Sequence, residues 1–181
     1  MSNKSMWDRT EEMAKKHEQG ASTWLKFLND GDKAVVVVLG EPFPREVCFV
    51  DGKYIPYDEK LRSQGLKPTL RVALNVMLWG TREVKVLELG VTSFKDLMRV
   101  RQKYGLDRWA FEIERHGAAK DPKTTYSILP EHQLTAEQQA QVQALPLHDL
   151  VKLYAGDEEE SRSVVPEASV VQTPDSEFAE D

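Results

Sequence analysis

The stretch that decides the fold is residues 109–130, WAFEIERHGAAKDPKTTYSILP. Trp109, Phe111 and Ile113 alternate with small or acidic residues, which is the period-two pattern of a half-buried strand. The residues around Tyr126 are rich in β-branched and aromatic types and predict a second strand. The loop between them combines turn-forming residues with cations. The stretch therefore predicts a β-hairpin whose tip is positively charged.

Strand patterns continue on the N-terminal side of this hairpin. Residues 33–39, KAVVVVL, are apolar on both faces, as in a strand of a coiled sheet, and residues 40–44, GEPFP, predict its end. Residues 69–79 give the longest strand pattern and place Arg71 and Asn75 on one side, which we do not expect to be the dry core. The remaining predicted strands are residues 22–28, 45–50, 53–57 and 83–89.

Helical patterns occupy three other places. Residues 5–19 contain strong helix formers, a second helix starts with Ser93 as a cap and ends before Gly105, and a third starts at Thr135 and is interrupted by Pro146. Several short strands, one helix inserted between them and a closing hairpin are the order of a small Greek-key barrel of the oligonucleotide-binding type, the OB-fold. We therefore predict a mainly β protein with an OB-fold-like barrel, an inserted helix and flanking N- and C-terminal helices.

The charge of the chain is unevenly distributed. The formal net charge is −6. Residues 157–181 hold nine carboxylates against Arg162 alone, a net of −8, which leaves +2 for residues 1–156. Such a tail cannot bury enough apolar surface to fold, so we predict that it is disordered. The predicted parts are an N-terminal helix or arm (1–21), a barrel domain (22–130), a C-terminal helical segment (131–156) and the acidic tail (157–181).

Several function classes lack their sequence signals. The chain has no GxxxxGK[ST] loop and no HExxH, GxSxG or CxxC motif, so we do not predict an enzyme. Cys48 is the single cysteine and the four histidines are scattered, so we predict no disulfide, metal or other cofactor, and Cys48 is expected to be a small buried hydrophobe. No apolar run approaches the ~20 residues that span a bilayer, so no membrane partner is predicted.

Residues 22–130 resemble phage-encoded single-stranded DNA-binding proteins and, more distantly, the helix-destabilising protein of T-even phages. The residues that carry this resemblance are Trp24-Leu25-Lys26-Phe27, Asp30-Gly31-Asp32-Lys33, Lys67-Pro68, Arg71, Asn75-Val76, Lys85-Val86, Phe94-Lys95-Asp96-Leu97, Phe111-Glu112-Ile113 and Thr124-Thr125-Tyr126. The chain departs from the T-even protein because it lacks the residues of a zinc site. Its acidic tail also lacks the terminal Pro-Phe of bacterial proteins of this functional class.

The resemblance implies a protein that coats single-stranded DNA in replication, recombination or repair, in the cytoplasm or nucleoid of a bacterial host cell. It also implies a tail that recruits replication or recombination proteins and competes for the DNA groove. The tail residues expected to bind partners are Asp175, Glu177, Phe178, Glu180 and Asp181. The N-terminal helix is a candidate for self-association.

Binding single strands without sequence preference requires aromatic faces for bases and cations for phosphates. The aromatic candidates are Trp24, Phe43, Tyr54, Tyr57, Trp79 and Tyr126. The polar candidates are Lys26, Arg45, Lys53, Lys67, Arg71, Asn75, Arg115, Lys120 and Lys123, with Arg71 and Arg115 preferred. Each aromatic has the alternative of packing in the core, and each loop lysine that of a solvated surface charge.

Two other function classes stay open. The first is an adaptor that binds only protein, or a phage inhibitor that acts through its acidic tail. A nucleic-acid mimic should carry carboxylates over its folded surface, whereas here they concentrate in the tail. The second is an enzyme that uses Glu112, Glu114 and His116, for which a solvated strand face is the simpler explanation.

Overall fold

The computed structural model describes residues 5–21 and 23–163. Its strands are β1 (Lys33–Val50), β2 (Lys53–Pro56), β3 (Thr69–Leu78), β4 (Val84–Gly90), β5 (Trp109–His116) and β6 (Thr125–Gln133). Its helices are α1 (Met6–Ala21), α2 (Glu59–Ser63), α3 (Val91–Tyr104), α4 (Ala136–Gln143) and α5 (Leu150–Ser163). The prediction of a mainly β protein with a helix inserted among the strands and helices at both ends is confirmed, and the short helix α2 between β2 and β3 is an addition that was not predicted.

The strands form one antiparallel sheet in the order β4-β3-β1-β5-β6, and β2 pairs with the C-terminal end of β1. Strand β1 is 18 residues long and runs through the segment 40–44, where we predicted its end. That prediction is wrong because the chain absorbs the Gly-Pro segment as an irregularity in register between Leu39 and Phe43. Gly40 has a φ of +64° there, a left-handed conformation that glycine adopts without strain.

The sheet is compatible with a small OB-like barrel, but hydrogen bonding does not close it, since β4 and β6 are its outer strands. Residues 23–28, here called the bridging segment, span the gap between these strands. The Leu25 N–H donates to the Val86 carbonyl of β4 at 2.9 Å, and the Phe27 ring packs 5.8 Å from the Tyr126 ring of β6. The strand predicted here is wrong, because Trp24 makes only an isolated parallel bridge with Val86.

The main core lies on one side of the sheet, between the strands and α3. Phe111, Val36 and Val76 have no exposed surface and pack with Leu97 of α3. This burial confirms that Phe111 belongs to the core. Helix α3 begins after Gly90 rather than after Ser93, since the residue preceding the helix is Gly90 and Ser93 is buried within it.

The opposite side of the sheet is covered by residues 134–154. Leu134 and Val142 cover Met77, and Leu150 and Tyr154 cover Ala73. We expected that the side of β3 that carries Arg71 and Asn75 would lie outside the dry core. This expectation is wrong for most of the length of β3. The C-terminal segment supplies the apolar cover that the strand pattern by itself could not reveal.

The C-terminal helices begin and end near the predicted positions. Thr135 and Gln138 form the capping box of α4, which confirms that this helix starts at Thr135, and α4 ends before Pro146. Strand β6 extends to Gln133, beyond the predicted domain end at residue 130. Helix α5 includes the first seven residues of the predicted acidic tail, and residues 164–181 lie outside the described part of the chain. No helix in the described ranges is long and apolar enough to cross a membrane.

Candidate functional site

The β1–β2 hairpin carries two exposed aromatic side chains. Phe49 is 63% exposed and Tyr54 is 44% exposed. They are cross-strand partners, and their ring centroids lie 5.1 Å apart. The Asp51-Gly52 turn fixes this register, because both residues have positive φ, as a two-residue hairpin loop requires. An exposed aromatic pair on a rigid hairpin is typical of an interaction surface rather than of a core.

Two arginines lie next to this pair. Arg45 and Arg71 are cross-strand partners on β1 and β3. The Arg71 guanidinium lies 4.9 Å from the centroid of the Tyr54 ring, within the range of a cation–π interaction. We call the surface formed by Arg45, Phe49, Tyr54 and Arg71 the hairpin face. It joins two aromatic rings to two cations on adjacent strands of the sheet.

Glu88 on β4 holds both arginines in place. Its carboxylate lies 2.8 Å from Arg71 Nε and 3.2 Å from Arg45 Nη2, and its third partner is the hydroxyl of Tyr154, which donates to it at 2.6 Å. Two guanidinium groups against one carboxylate leave this cluster with one net positive charge. Because both arginine side chains remain partly exposed, that charge can act on a ligand at the surface.

The charge state of this cluster follows from its contacts. Burial by itself raises the pKa of Glu88, but the hydrogen bonds from Tyr154 and Arg71 and the two arginine charges outweigh burial and lower it. Burial and the hydrogen bond to Glu88 raise the pKa of Tyr154 well above its usual range. At neutral pH the cluster therefore contains an ionised carboxylate and a protonated phenol.

A cleft of about 320 Å³ extends from the hairpin face along the bridging segment. It brings together four predicted residues from three parts of the chain, namely Trp24, Lys26, Arg71 and Tyr126. Lys26 is exposed and Tyr126 is half-buried, so the cleft offers a cation and an aromatic ring beyond the hairpin face.

Other predicted residues are engaged inside the fold. Asn75 is buried, and its amide exchanges two hydrogen bonds with the backbone of His148, at 2.9 and 3.1 Å. Trp79 packs between the Arg82 guanidinium at 3.7 Å and the His132 ring at 4.5 Å, at the far end of β3 from Arg71. The structure therefore gives Asn75 and Trp79 structural contacts and does not bring them to the hairpin face.

Arg115 is also buried rather than projecting from the hairpin tip. Its guanidinium donates to the carbonyls of Phe27, Gly117 and Ala118 and to the Thr124 hydroxyl. The expectation that Arg115 presents a free cation is wrong, because the tip folds its own carbonyl oxygens around the side chain. The cations that the tip does expose are Lys120 and Lys123.

The remaining predicted residues lie between these regions. Lys53 and Lys67 are exposed, the first at the start of β2 and the second before β3. Tyr57 is half-buried and donates to the Leu66 carbonyl at 3.3 Å. Cys48 is buried, as predicted, with its thiol 3.3 Å from the Lys67 carbonyl. The predicted tail residues, from Asp175 to Asp181, lie outside the described residues.

Phe49 is not among the residues predicted for the site, although the sequence contains a local signal for it. In REVCFV, period-two alternation places Phe49 on the side of Arg45, and the Asp-Gly turn pairs it with Tyr54. The role of Tyr154 had no local signal, because its partner Glu88 is 66 residues away in sequence.

Known proteins give no further guide to this site. No protein-family model, curated protein or solved structure matches the chain. Within the described ranges, no group of three or more His, Cys, Asp or Glu side chains could hold a metal ion. The case for a function must therefore come from the hairpin face and the cleft.

Proposed function

We propose that this protein binds single-stranded DNA with little sequence preference through the hairpin face. The observation that carries the proposal is the pair Phe49 and Tyr54, exposed side by side with Arg71 over the Tyr54 ring. Every nucleobase has a π-face that stacks on such rings, and each phosphate finds a cation beside them. This combination favours single strands, because the bases of a duplex are already stacked on one another.

The cleft supports a binding path longer than one or two nucleotides. Its lining includes Arg71, Lys26 and Tyr126 of β6. A strand that stacks on the hairpin face and continues along the bridging segment would therefore meet further cations and an aromatic ring. Exposed Lys53 directly precedes Tyr54 on β2.

The distribution of charge supports the wider role that we propose, which is coating single strands in replication, recombination or repair. Residues 1–156 carry a net +2, whereas residues 157–181 carry −8. A basic body attracts phosphates, and a tethered acidic segment competes with them and offers a binding site to other proteins. In this proposal the tail recruits replication or recombination proteins.

The test is a fluorescence-anisotropy titration of a labelled oligo-dT with Phe49→Ala and Tyr54→Ala variants. Stacking is worth ~1–3 kcal/mol per base, so each variant should bind roughly 5- to 150-fold more weakly. Leu129→Ala is the matched control, because Leu129 is 55% exposed on β6, away from the hairpin. Its affinity should equal that of the wild type.

The same titration at several salt concentrations tests the phosphate contacts. Affinity should fall as salt rises, and Arg71→Gln should reduce the slope of log affinity against log salt by about one. Equal binding by wild type and both aromatic variants would contradict the hairpin face as the site. Absence of any binding to oligo-dT would contradict the proposed function and would favour a protein-only adaptor.

A further inference from the structure

Tyr154 of α5 lies in a pocket whose contacts resemble those that proteins make with a nucleobase. Its ring stacks on Phe43 at 5.5 Å with an interplanar angle of 22°, and it meets Trp24 edge-on at 5.5 Å. The Arg45 guanidinium lies 3.7 Å from its ring centroid, and its hydroxyl donates to Glu88. The pocket thus supplies two aromatic rings, a cation and a partly buried acceptor.

We propose that this pocket is a nucleobase site and that Tyr154 occupies it in the free protein, so that a base of the bound strand replaces the Tyr154 ring when α5 leaves the sheet. The inference rests on the proposed function and deepens it. The pocket adjoins the hairpin face, because Arg45 belongs to both and Glu88 also binds Arg71. A DNA strand whose base stacks on Tyr54 would therefore lie next to the pocket.

The hydrogen-bonding chemistry of the pocket accepts any base. Glu88 accepts one hydrogen bond from the Tyr154 hydroxyl. Cytosine and adenine present exocyclic amino groups, and guanine and thymine present ring N–H groups, on the edges that pair in a duplex. Each base can therefore replace the Tyr154 hydroxyl as the donor to Glu88. The pocket adds affinity without selecting a sequence.

The second observation is an unpaired donor in the Arg45 side chain. Arg45 Nε is buried and has no hydrogen-bond partner, and it is the single buried side-chain nitrogen or oxygen in the described residues of which this is true. An unpaired buried donor destabilises the free protein. A phosphate oxygen of a strand whose base enters the pocket is an acceptor of the right chemistry for this atom.

The attachment of α5 is small enough to be reversible. Leu150 and Tyr154 are its buried side chains in the described part, and Leu153 is half-buried, whereas Val151 and Lys152 face solvent. The hydrogen bonds between Asn75 and His148 hold the chain just before the helix, so α5 can leave without detaching the preceding segment. Acidic residues begin at Asp157, three positions after Tyr154, and α5 contacts β2. Phosphates bound to the hairpin face would therefore repel this helix.

Hydrogen exchange measured by mass spectrometry on the full chain tests the proposal. With saturating oligo-dT, amides of residues 151–154 should lose protection, whereas those of α4, residues 136–143, should keep it. Binding of oligo-dT with undiminished protection in α5 would overturn the inference and leave the proposed function standing. Failure to bind at all would overturn both.

A conservative variant gives an independent test. Tyr154→Phe keeps the ring but removes the hydrogen bond to Glu88, which weakens the closed state, so affinity for oligo-dT should rise about tenfold. The salt dependence should not change, since no charge is altered, and this separates the effect from that of the acidic tail. Tyr104 lies on α3 and its ring packs against Trp109. Tyr104→Phe is therefore the control and should bind oligo-dT with the affinity of the wild type. Unchanged or weaker binding by Tyr154→Phe would overturn the proposal.

Discussion

Replacement of Arg115 by methionine separates a structural role for this residue from a role in binding phosphate. Arg115 as a residue is 9% exposed, and its guanidinium donates four hydrogen bonds of 2.8 to 3.2 Å. Three of its acceptors lie in the exposed hairpin tip, where water can replace the guanidinium. The fourth, the Phe27 carbonyl, is buried and would lose its partner.

The magnitude follows from these contacts. Hydrogen bonds to a charged group contribute ~1.5–3 kcal/mol each, but those at the tip are partly recovered by water and the four are not additive. We expect Arg115→Met to lower the free energy of unfolding by about 3–5 kcal/mol. For a chain of this size, that change lowers the Tm by roughly 6–20 °C.

Thermal unfolding followed by circular dichroism measures the stability, and oligo-dT titration is carried out at a temperature where both proteins are folded. Arg115→Met should bind with the affinity and salt dependence of the wild type, because Arg115 is buried and its guanidinium is held by four hydrogen bonds within the fold. Arg115→Lys should also be destabilised, since one ammonium cannot reach four acceptors arranged around a planar group. Lys120→Ala, by contrast, should leave the Tm unchanged. If Arg115→Met melted with the wild type but lost affinity for DNA, the structural role would be refuted and the cation would be free for phosphate.

Two further predictions concern the groups that hold the C-terminal segment and the arginines. Glu88→Gln should be less stable than the wild type by about 2 kcal/mol at pH 7, and urea unfolding at several pH values should show this difference shrinking below about pH 4.5. The sign follows because the folded protein lowers the pKa of Glu88 below its ordinary value of 4.5. The stabilisation by ionised Glu88 is therefore present above pH 4.5 and is lost as the pH falls through the folded pKa. A stability difference that does not depend on pH would contradict this prediction. Asn75→Ala should lower the urea midpoint by the equivalent of about 2 kcal/mol, because the N–H and carbonyl of His148 lose their hydrogen-bond partners. An unchanged midpoint would show that water replaces the Asn75 amide.

The parts of the fold that sequence predicted well are those set by local patterns. Alternation in residues 109–116 and the β-rich residues after Thr124 gave the β5–β6 hairpin, and Thr135 with Gln138 gave the start of α4. Each of these signals depends on residues within one turn or one strand of each other. Burial of Cys48 followed in the same way from the pattern of its strand.

The parts that sequence predicted poorly depend on residues far apart in the chain. Arg115 is drawn inside by the Phe27 carbonyl, 88 residues away, and Asn75 is buried by His148, 73 residues away. The bridging segment has the composition of a strand but meets β4 at a single bridge, because its other residues turn toward β6. No local pattern distinguishes these cases from exposed polar residues or an ordinary strand.

The candidate site shows the same division. Arg45, Tyr54 and Arg71 are predicted from residue type, and Arg71 also from its place on a long strand. The structure brings them together through the pairing of β1 with β2 and β3. The sequence could not reveal that Glu88 binds both arginines, since that contact requires β4 to lie beside β3. That these residues bind nucleic acid stays a prediction.

The length of β1 has a consequence for how the molecule folds. Its 18 residues pair with β2, β3 and β5, so β2, the β3–β4 hairpin and the β5–β6 hairpin are joined as one sheet through this strand. The hairpins β3–β4 and β5–β6 close short loops and can form early, whereas β1 must find β5 across nearly eighty intervening residues. Docking of β1 onto both hairpins is therefore the expected rate-limiting event, and the sheet should melt in one cooperative transition because losing this strand separates β2 and the two hairpins from one another.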